Sequence, residues 1–386
     1  MNWQYGVHPA VLRHGDPARA MERTRAEGHD SLRLLAAPEQ ETDCRRLLTR
    51  FAGETPEGLW FETPLTPDCP MLPIPMHPAY RHGDMTPWGG TQLRDVYHRA
   101  IPDERTGEAL EISAIPNLES TTSTGETLPQ LLAREGRRLA GDCAGQPFPL
   151  LLKLLAAKQS LSVQVHPDDA YASLREHKLG KTEAWVILHA DEGASILYGM
   201  RDGVTLDALR AALEGGQDVE PLIQRVPVHA GDVYYMPSGM VHAIGGGILL
   251  YEIQQSSDVT YRLWDFNRVN DKGEKRPLHI RQSLDVIRPE LKGQRAHMPE
   301  HPAQEITHLL DVPAFTLDCV AADGACILPA ADTFRVLTAL EPLTLRWLEG
   351  EMELNPGDTV LLPAACPEVG LEGHGRALVS GVGRNA

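Results

Sequence analysis

Length, composition and charge limit what this chain can be. It has 386 residues, of which 42% are hydrophobic, and its formal net charge is −17, so two or three domains with real cores are expected. The acidic balance argues against nucleic-acid binding, and an anionic ligand would need a local cluster of lysine and arginine. No apolar run reaches the roughly 18 residues of a membrane span and no secretory signal is visible, so we expect a cytoplasmic protein whose scattered cysteines are free thiols.

The first part of the chain, residues 1–70, has the pattern of a helical N-terminal extension. Asp16 and Pro17 suit the start of one helix and Gly28 suits its end. The apolar residues of LLTRF suit a second short helix. Residues 63–78 contain six prolines, which remove backbone donors and interrupt helices, so this stretch is predicted to be a loop or linker. The role of the extension is left open.

From about Met85 the pattern changes to short strands and turns, with one long helix inserted. Thr205 can cap that helix, and its apolar residues fall on one face. Another helix is predicted near His279–Ile287. The polar, proline-containing segment 288–305 is predicted to be a linker.

An internal repeat connects the two halves of this strand-rich region. The segment GDVYYMPSGMVHAI (231–244) recurs as GDTVLLPAACPEVG (357–370), with Gly-Asp suited to a turn and the apolar run to a strand. Small β-barrels are built from such repeated units. The second copy has Glu368 where the first has His242, so a metal is expected only in the first barrel.

Four residues with metal-ligating side chains lie in three strand-like segments. Gln164 and His166 are two apart and would share one face of a strand, Glu183 begins the next strand, and His242 follows a turn. Two imidazoles, a carboxylate and an amide oxygen suit zinc, with manganese, iron, cobalt or nickel possible. Any one of these residues alone would more often be an ordinary polar residue.

A further pair lies in the segment YEIQQSSDVTYRLWDFNR. Glu252 and Arg262 are ten residues apart and have the same parity if the chain stays extended. An arginine stays charged and suits a phosphate or a developing oxyanion. A surface ion pair between the two residues is an equally weighted alternative.

These segments together resemble class I mannose-6-phosphate isomerases, in particular the short bacterial branch. The likeness begins at PWGG and continues in order through TGEALEISAIPN, FPLLLKLL, QVHPDD, LGKTEAW, GDVYYMPSGMVHA and SSDVTYRLWDFNR. It extends over about 300 residues, which is more specific than any single motif. Residues 1–70 match nothing in the family.

The resemblance implies a mainly β fold of tandem cupin (jelly-roll) barrels. We then expect a catalytic metal cupin with a helical insertion over 71–287, a linker over 288–305 and a degenerate second cupin over 306–386. It also implies one zinc ion per chain and a set of site residues. The implied metal ligands are Gln164, His166, Glu183 and His242. The implied catalytic and pocket residues are Arg262, Lys181, Glu252, Lys153 and Ser162.

The implied reaction interconverts mannose 6-phosphate and fructose 6-phosphate through an enediol. A metal would act as a Lewis acid, Arg262 would stabilise negative charge on oxygen, and Lys181, Lys153 and Ser162 would receive the phosphate. The base is left open among Glu252, Lys181 and a metal-bound water. Two alternatives are kept: an iron dioxygenase-type cupin and a non-catalytic sugar-phosphate sensor. The sequence does not specify the oligomeric state.

Overall fold

A computed structural model describes residues 70–270, 272–299, 305–347 and 350–383, together with the backbone of three short strands nearer the N-terminus. Those strands, β1 (Tyr5–Val7), β2 (Leu32–Leu35) and β3 (Trp60–Glu62), form a parallel sheet. These three strands were not predicted from the residue pattern. The two helices predicted within residues 1–70 lie outside the described residues.

The rest of the described chain is mostly strand, which confirms the mainly β prediction. In chain order the strands are β4 Ile74–His77, β5 Ala79–Arg81, β6 Glu108–Ile112, β7 Thr121–Thr122, β8 Leu150–Ala157, β9 Val163–Val165, β10 Glu183–Ala190, β11 Ser195–Met200, β12 Ile223–Pro227, β13 Asp232–Met236, β14 His242–Ala243, β15 Ile248–Gln255, β16 Tyr261–Trp264, β17 Gln294–His297, β18 Glu305–Asp311, β19 Phe315–Leu328, β20 Arg335–Ala339, β21 Leu343–Trp347, β22 Gly350–Leu354, β23 Thr359–Leu362 and β24 Val369–Val382.

Six α-helices lie in the described residues. They are α1 Gln92–Tyr97, α2 Leu128–Glu135, α3 Arg137–Ala140, α4 Asp169–Glu176, α5 Leu206–Glu214 and α6 Ile280–Val286. The predicted inserted helix is α5, where Thr205 accepts a hydrogen bond from the Ala208 backbone N–H. The helix predicted near His279–Ile287 is α6. None of the six is long and apolar enough to cross a membrane.

The first barrel consists of two sheets. A seven-stranded sheet has the order β17-β13-β10-β15-β8-β6-β5, and a five-stranded sheet has the order β12-β11-β14-β9-β16. The pairs within both sheets are antiparallel. The central strands β8 and β15 are buried along nearly their whole length, and β10 is buried over its first five residues. Each therefore contributes one face to the barrel interior and the other to a second core.

The second sheet system has the order β18-β19-β24-β20-β23-β4-β7, with β21 and β22 paired beside β24. One hydrophobic core lies between it and the outer face of the seven-stranded sheet: Tyr251 and Ile253 of β15 share that core with Phe315 of β19 and Leu378 of β24. The two copies of the repeat are β13 and β23, so the predicted repeat is a repeated strand.

Two segments differ from their predicted role. Ile74–His77, within the proline-rich stretch, is strand β4 and pairs with β23, so this early segment belongs to the second sheet system. Gln294–His297, within the predicted linker, is strand β17 and extends the seven-stranded sheet beside β13. Both are held by pairing with strands far away in sequence, which local composition does not reveal.

Candidate metal centre and surrounding pocket

The candidate metal ligands come from neighbouring strands of the two sheets that enclose the first barrel. His242 begins β14 and is the cross-strand partner of Gln164 in β9, and Gln164 is in turn the partner of Arg262 in β16. Directly paired residues point to the same face of a sheet. His166 follows the last residue of β9, and Glu183 opens β10 in the opposite sheet.

Three of the four predicted ligands form a compact buried cluster. One candidate ligand atom from each of His166, Glu183 and His242 lies within 4.8 Å of the other two. His242 Nε2 is 3.1 Å from Glu183 Oε1, and His166 Nε2 is 3.5 Å from Glu183 Oε2. Each residue is only 1% exposed. Gln164, at 9% exposed, is the register neighbour of His242.

The hydrogen bonds of the two histidines indicate what the cluster can bind. His166 Nδ1 lies 2.9 Å from the Val259 carbonyl, and His242 Nδ1 lies 2.9 Å from the Met240 carbonyl. A carbonyl can only accept, so each Nδ1 carries a proton and a neutral ring presents its Nε2 lone pair to the cluster.

The cluster therefore brings together nitrogen and oxygen lone pairs with no N–H or O–H group between them to form a hydrogen bond. His166 Nε2, His242 Nε2 and Glu183 Oε1 are buried and have no hydrogen-bond partner in the described residues. Burial and the nearby Lys181 hold the pKa of His166 well below its ordinary value, which keeps the ring neutral. A divalent cation satisfies such a set, so the residues present fit a metal ion.

A row of charged side chains continues from the cluster along the inner face of the seven-stranded sheet. Lys181 Nζ is 2.8 Å from Glu183 Oε2 and 3.9 Å from Glu252 Oε1. Lys153 Nζ donates to Glu252 Oε1 at 2.9 Å. Burial lowers the pKa of Lys181, but Glu183 and Glu252 outweigh it and raise that pKa overall. The structure therefore brings the predicted pocket residues of this sheet together.

Arg262 lies on the opposite sheet and is paired differently. Its Nε donates to Ser162 Oγ at 3.3 Å and its Nη1 to the Pro277 carbonyl at 2.9 Å. Among the described residues it has no carboxylate within ion-pair distance, because Asp265 is held by Arg268 and Arg276. Burial and the neighbouring Arg276 lower the pKa of Arg262. A guanidinium without a counterion is well suited to an anionic ligand.

The predicted relation between Glu252 and Arg262 is not a continuous strand. Glu252 is in β15 and Arg262 is in β16, which belong to different sheets, and no ion pair joins them in the described residues. Each instead meets a different partner: Lys153 for the glutamate and Ser162 for the arginine.

In the second sheet system, Glu368 is exposed, and the only cluster of three metal-ligating residues within the described ranges is that of the first barrel.

Two charged residues near the site were not identified from the sequence. Glu108 is 6% exposed, and its Oε1 lies 3.5 Å from Lys153 Nζ. Arg81 Nη1 donates to Glu108 Oε2 at 3.3 Å. Glu108 lies in the segment TGEALEISAIPN, where a carboxylate among the apolar residues of a strand-like run indicates a buried charge. Arg81 carried none, because only cross-strand pairing brings it there.

Fold and site together define a cupin-fold protein with a buried histidine–glutamate cluster of metal-ligating type. The family described as "Phosphomannose isomerase type I, catalytic domain" matches residues 77–181. The mannose-6-phosphate isomerase ManA of Bacillus subtilis (strain 168) is 38% identical over 302 residues, which are 76% of this chain and 94% of that protein. The chain therefore belongs to the type I mannose-6-phosphate isomerase family, as the sequence resemblance predicted.

Two further comparisons agree. The mannose-6-phosphate isomerase of Streptococcus mutans serotype c is 50% identical over 204 residues; the match covers 52% of this chain and 64% of that protein, just under two thirds of its length. The crystal structure of the Bacillus subtilis mannose 6-phosphate isomerase superposes with a TM-score of 0.73 at 33% identity. That likeness covers 81% of this chain and all (100%) of the other, and it confirms the predicted cupin fold.

Proposed function

We propose that this chain is a metal-dependent aldose–ketose isomerase that interconverts mannose 6-phosphate and fructose 6-phosphate, with zinc as its metal. The observation that carries the proposal is the buried cluster of His166, Glu183 and His242 beside a charged pocket. Relatives of the same family carry the name mannose-6-phosphate isomerase. Such a pocket does not suit the apolar substrate of a dioxygenase.

The metal would be held by His166, Glu183 and His242, with the Gln164 amide oxygen as the fourth proposed ligand. Borderline nitrogen and oxygen donors in this number suit zinc. When bound, such an ion supplies Lewis-acid polarisation of a carbonyl oxygen. The carbonyls of Val259 and Met240 orient the two imidazoles for this purpose.

The proton transfer between C1 and C2 is proposed to use Glu252. An aldose and its ketose differ by the position of one carbonyl and one proton, so an enediol links them and no redox cofactor is needed. Glu252 is 3% exposed and is hydrogen-bonded by Lys153, so its carboxylate is fixed in a water-poor pocket, as a general base requires. Lys181, which is close to it, would donate hydrogen bonds to substrate oxygens.

The negative charges of the substrate are proposed to meet Arg262, Ser162 and the two lysines. Arg262 would stabilise the charge that develops on oxygen, because it has no competing carboxylate. Ser162, Lys153 and Lys181 would hold the phosphate and keep the sugar in register. Lys153 and Lys181 are each close to carboxylates. Their net attraction for a phosphate is therefore weaker than that of two isolated ammonium groups.

The test is a coupled assay that follows fructose 6-phosphate formed from mannose 6-phosphate. Purified protein is stripped with a chelator, then reloaded in parallel with zinc, manganese, iron, cobalt or nickel. We expect loss of turnover on stripping and the greatest recovery with zinc. No turnover by any reloaded form with any of several sugar phosphates would reject the isomerase proposal, and best recovery with another metal would reject zinc.

A further inference from the structure

Charges alternate in sign along the inner face of the seven-stranded sheet, from its edge to the metal cluster. Arg81 on β5 meets Glu108 on β6 at 3.3 Å, and Glu108 meets Lys153 on β8 at 3.5 Å. Lys153 meets Glu252 on β15 at 2.9 Å. Lys181 precedes β10, and its Nζ lies 3.9 Å from Glu252 Oε1 and 2.8 Å from Oε2 of Glu183, the carboxylate of the candidate metal cluster.

The row is electrically balanced only if Arg81 is counted. Three cations, Arg81, Lys153 and Lys181, face three carboxylates, those of Glu108, Glu252 and Glu183. Unpaired buried charge is costly, so each member depends on its neighbours. Burial raises the pKa of Glu108, but Lys153 and Arg81 outweigh it and lower that pKa overall, so Glu108 is a charged member of the row.

Arg81 is the outermost member and touches only Glu108 of the row. Its side chain is 22% exposed, whereas that of Glu108 is 8% exposed and that of Lys153 is 4% exposed. The two residues are cross-strand partners, so the register of β5 and β6 sets their contact. Without the guanidinium, Glu108 would be a buried carboxylate with Lys153 as its nearest counterion.

Lys153 would then be shared between two competing carboxylates. At present its Nζ is 2.9 Å from Glu252 and 3.5 Å from Glu108, so the stronger contact is with the proposed base. A Glu108 carboxylate that lacks Arg81 would attract the ammonium more strongly. The Lys153–Glu252 hydrogen bond would lengthen, and both groups would leave the geometry that the reaction requires.

We propose that Arg81 is a positioning residue of the active site. It acts through Glu108, by satisfying that carboxylate so that Lys153 stays on Glu252. This inference rests on the proposed isomerase function.

A double-mutant cycle tests it. Turnover of mannose 6-phosphate by metal-loaded protein is measured for Arg81→Met, Glu108→Gln and the double variant, with Arg81→Lys as the charge-conserving rescue. Arg94→Met is the matched control. Arg94 lies on the surface of α1 and forms an ion pair with Glu104, in the loop that follows this helix. Far-UV circular dichroism and metal content are recorded for each variant.

We expect Arg81→Met to lower kcat/KM about ten-fold, with most of the loss in kcat, and Arg81→Lys to recover most of it. In the Glu108→Gln background, where no carboxylate remains to satisfy, Arg81→Met should cost less than about two-fold. Arg94→Met should match the wild type.

Three results would overturn the inference. They are wild-type kcat/KM for Arg81→Met, an equal loss in both backgrounds, and a loss fully explained by a lower folded fraction or metal content. Absence of turnover by the wild-type protein would instead reject the proposed function, and the positioning role with it. The two failures are therefore distinguished by the wild-type measurement in the same assay.

Discussion

At the scale of single residues, the site is defined by which polar atoms lack a partner. Arg262 is a half-buried cation that forms no ion pair with a carboxylate in the described residues, and His166 and His242 present lone pairs toward Glu183. Such arrangements cost stability in the absence of a ligand, because buried charges and polar atoms are unfavourable unless paired. A bound substrate and metal would supply the missing partners, so the unpaired atoms indicate where function lies.

Replacing Arg262 tests its proposed role in stabilising charge. Arg262→Ala should lower kcat by about 10²–10³-fold, which is the usual cost of removing one such donor. Metal content should be unchanged, because Arg262 does not contact the cluster. Arg346→Ala serves as the control, since Arg346 pairs with Glu351 and Glu372 in the second sheet system. Wild-type turnover by Arg262→Ala would contradict the assignment.

The proposed role of Gln164 as fourth metal ligand is tested by comparing its replacement with that of Glu183. Glu183→Ala should abolish retention of zinc through desalting, because it removes the only anionic ligand of the proposed set. Gln164→Ala should retain zinc with a weaker affinity, because both histidines and the carboxylate remain. Gln294→Ala, an exposed glutamine of β17, is the control. The measurement is zinc bound per chain in competition with a chromophoric chelator. An affinity for Gln164→Ala equal to that of the control would remove Gln164 from the ligand set.

At the scale of elements, helix α4 supports the start of β10, the strand that carries the Glu183 carboxylate. Asp168 caps α4 by accepting from the Tyr171 backbone N–H. The Gly180 N–H donates to Asp169 Oδ1 at 2.8 Å, and the Lys181 N–H donates to the Pro167 carbonyl at 3.0 Å. The start of α4 therefore fixes the segment just before Glu183.

This contact predicts a specific sensitivity at Gly180. A Cβ there would lie 2.5 Å from the backbone of Asp168 and Asp169, so Gly180→Ala must push the chain away from α4. Overpacking of this kind costs about 1–3 kcal/mol, and the melting temperature should fall by roughly 2–10 °C. Turnover should fall as well, because Lys181 and Glu183 move with the segment.

The matched control for Gly180→Ala is Gly370→Ala in β24. A Cβ at Gly370 would meet its nearest atom, in Arg346, at 3.9 Å, an ordinary contact. Its melting temperature should stay within about 2 °C of the wild type. Equal melting temperatures and turnover for both variants would show that the tight approach at Gly180 is not needed.

At the scale of the whole molecule, polar contacts join the two sheet systems across their shared core. The Tyr251 hydroxyl of β15 and the Ser380 hydroxyl of β24 lie 2.7 Å apart. Glu111, which is fully buried, meets Arg99 at 3.2 Å, and Arg99 also donates to the Gly357 carbonyl. These contacts lie on the opposite side of the seven-stranded sheet from the charged row, so they join the first barrel to the second sheet system.

Glu111 makes the stability of this junction dependent on pH. Burial raises its pKa from an ordinary 4.5 to about 7, although Arg99 opposes the shift; Asp358 reinforces it. The folded state thus holds this proton more tightly than the unfolded state. Glu111 therefore costs stability as the pH rises from about 4.5 to about 7, on the order of 1–3 kcal/mol in total.

Glu111→Gln removes that titration. The melting temperature of the variant minus that of the wild type should increase between pH 5 and pH 8, because only the wild type loses stability from this group. Glu290→Gln, at an exposed position, is the control and should show a constant difference. A constant difference for Glu111→Gln as well would contradict the raised pKa.

The sequence by itself determined the strand-rich pattern, the repeat, helices α5 and α6, and the residue types of the candidate site. These depend on the identity and spacing of near neighbours, which a linear pattern contains. Helices α2 and α4 were missed although Thr127 and Asp168 are good N-caps, because their apolar faces are short. The domain boundaries and residue roles taken from the family resemblance remain predictions.

Only the tertiary structure decided what distant segments share. It placed β4 and β17 in sheets with strands far along the chain, and it separated Glu252 from Arg262 on opposite sheets. It also showed that Arg81 joins the charged row of the seven-stranded sheet through Glu108. The physical reason is that cross-strand hydrogen bonds and buried ion pairs depend on the register between strands. That register is set by the packing of the whole barrel, and no local run of residues specifies it.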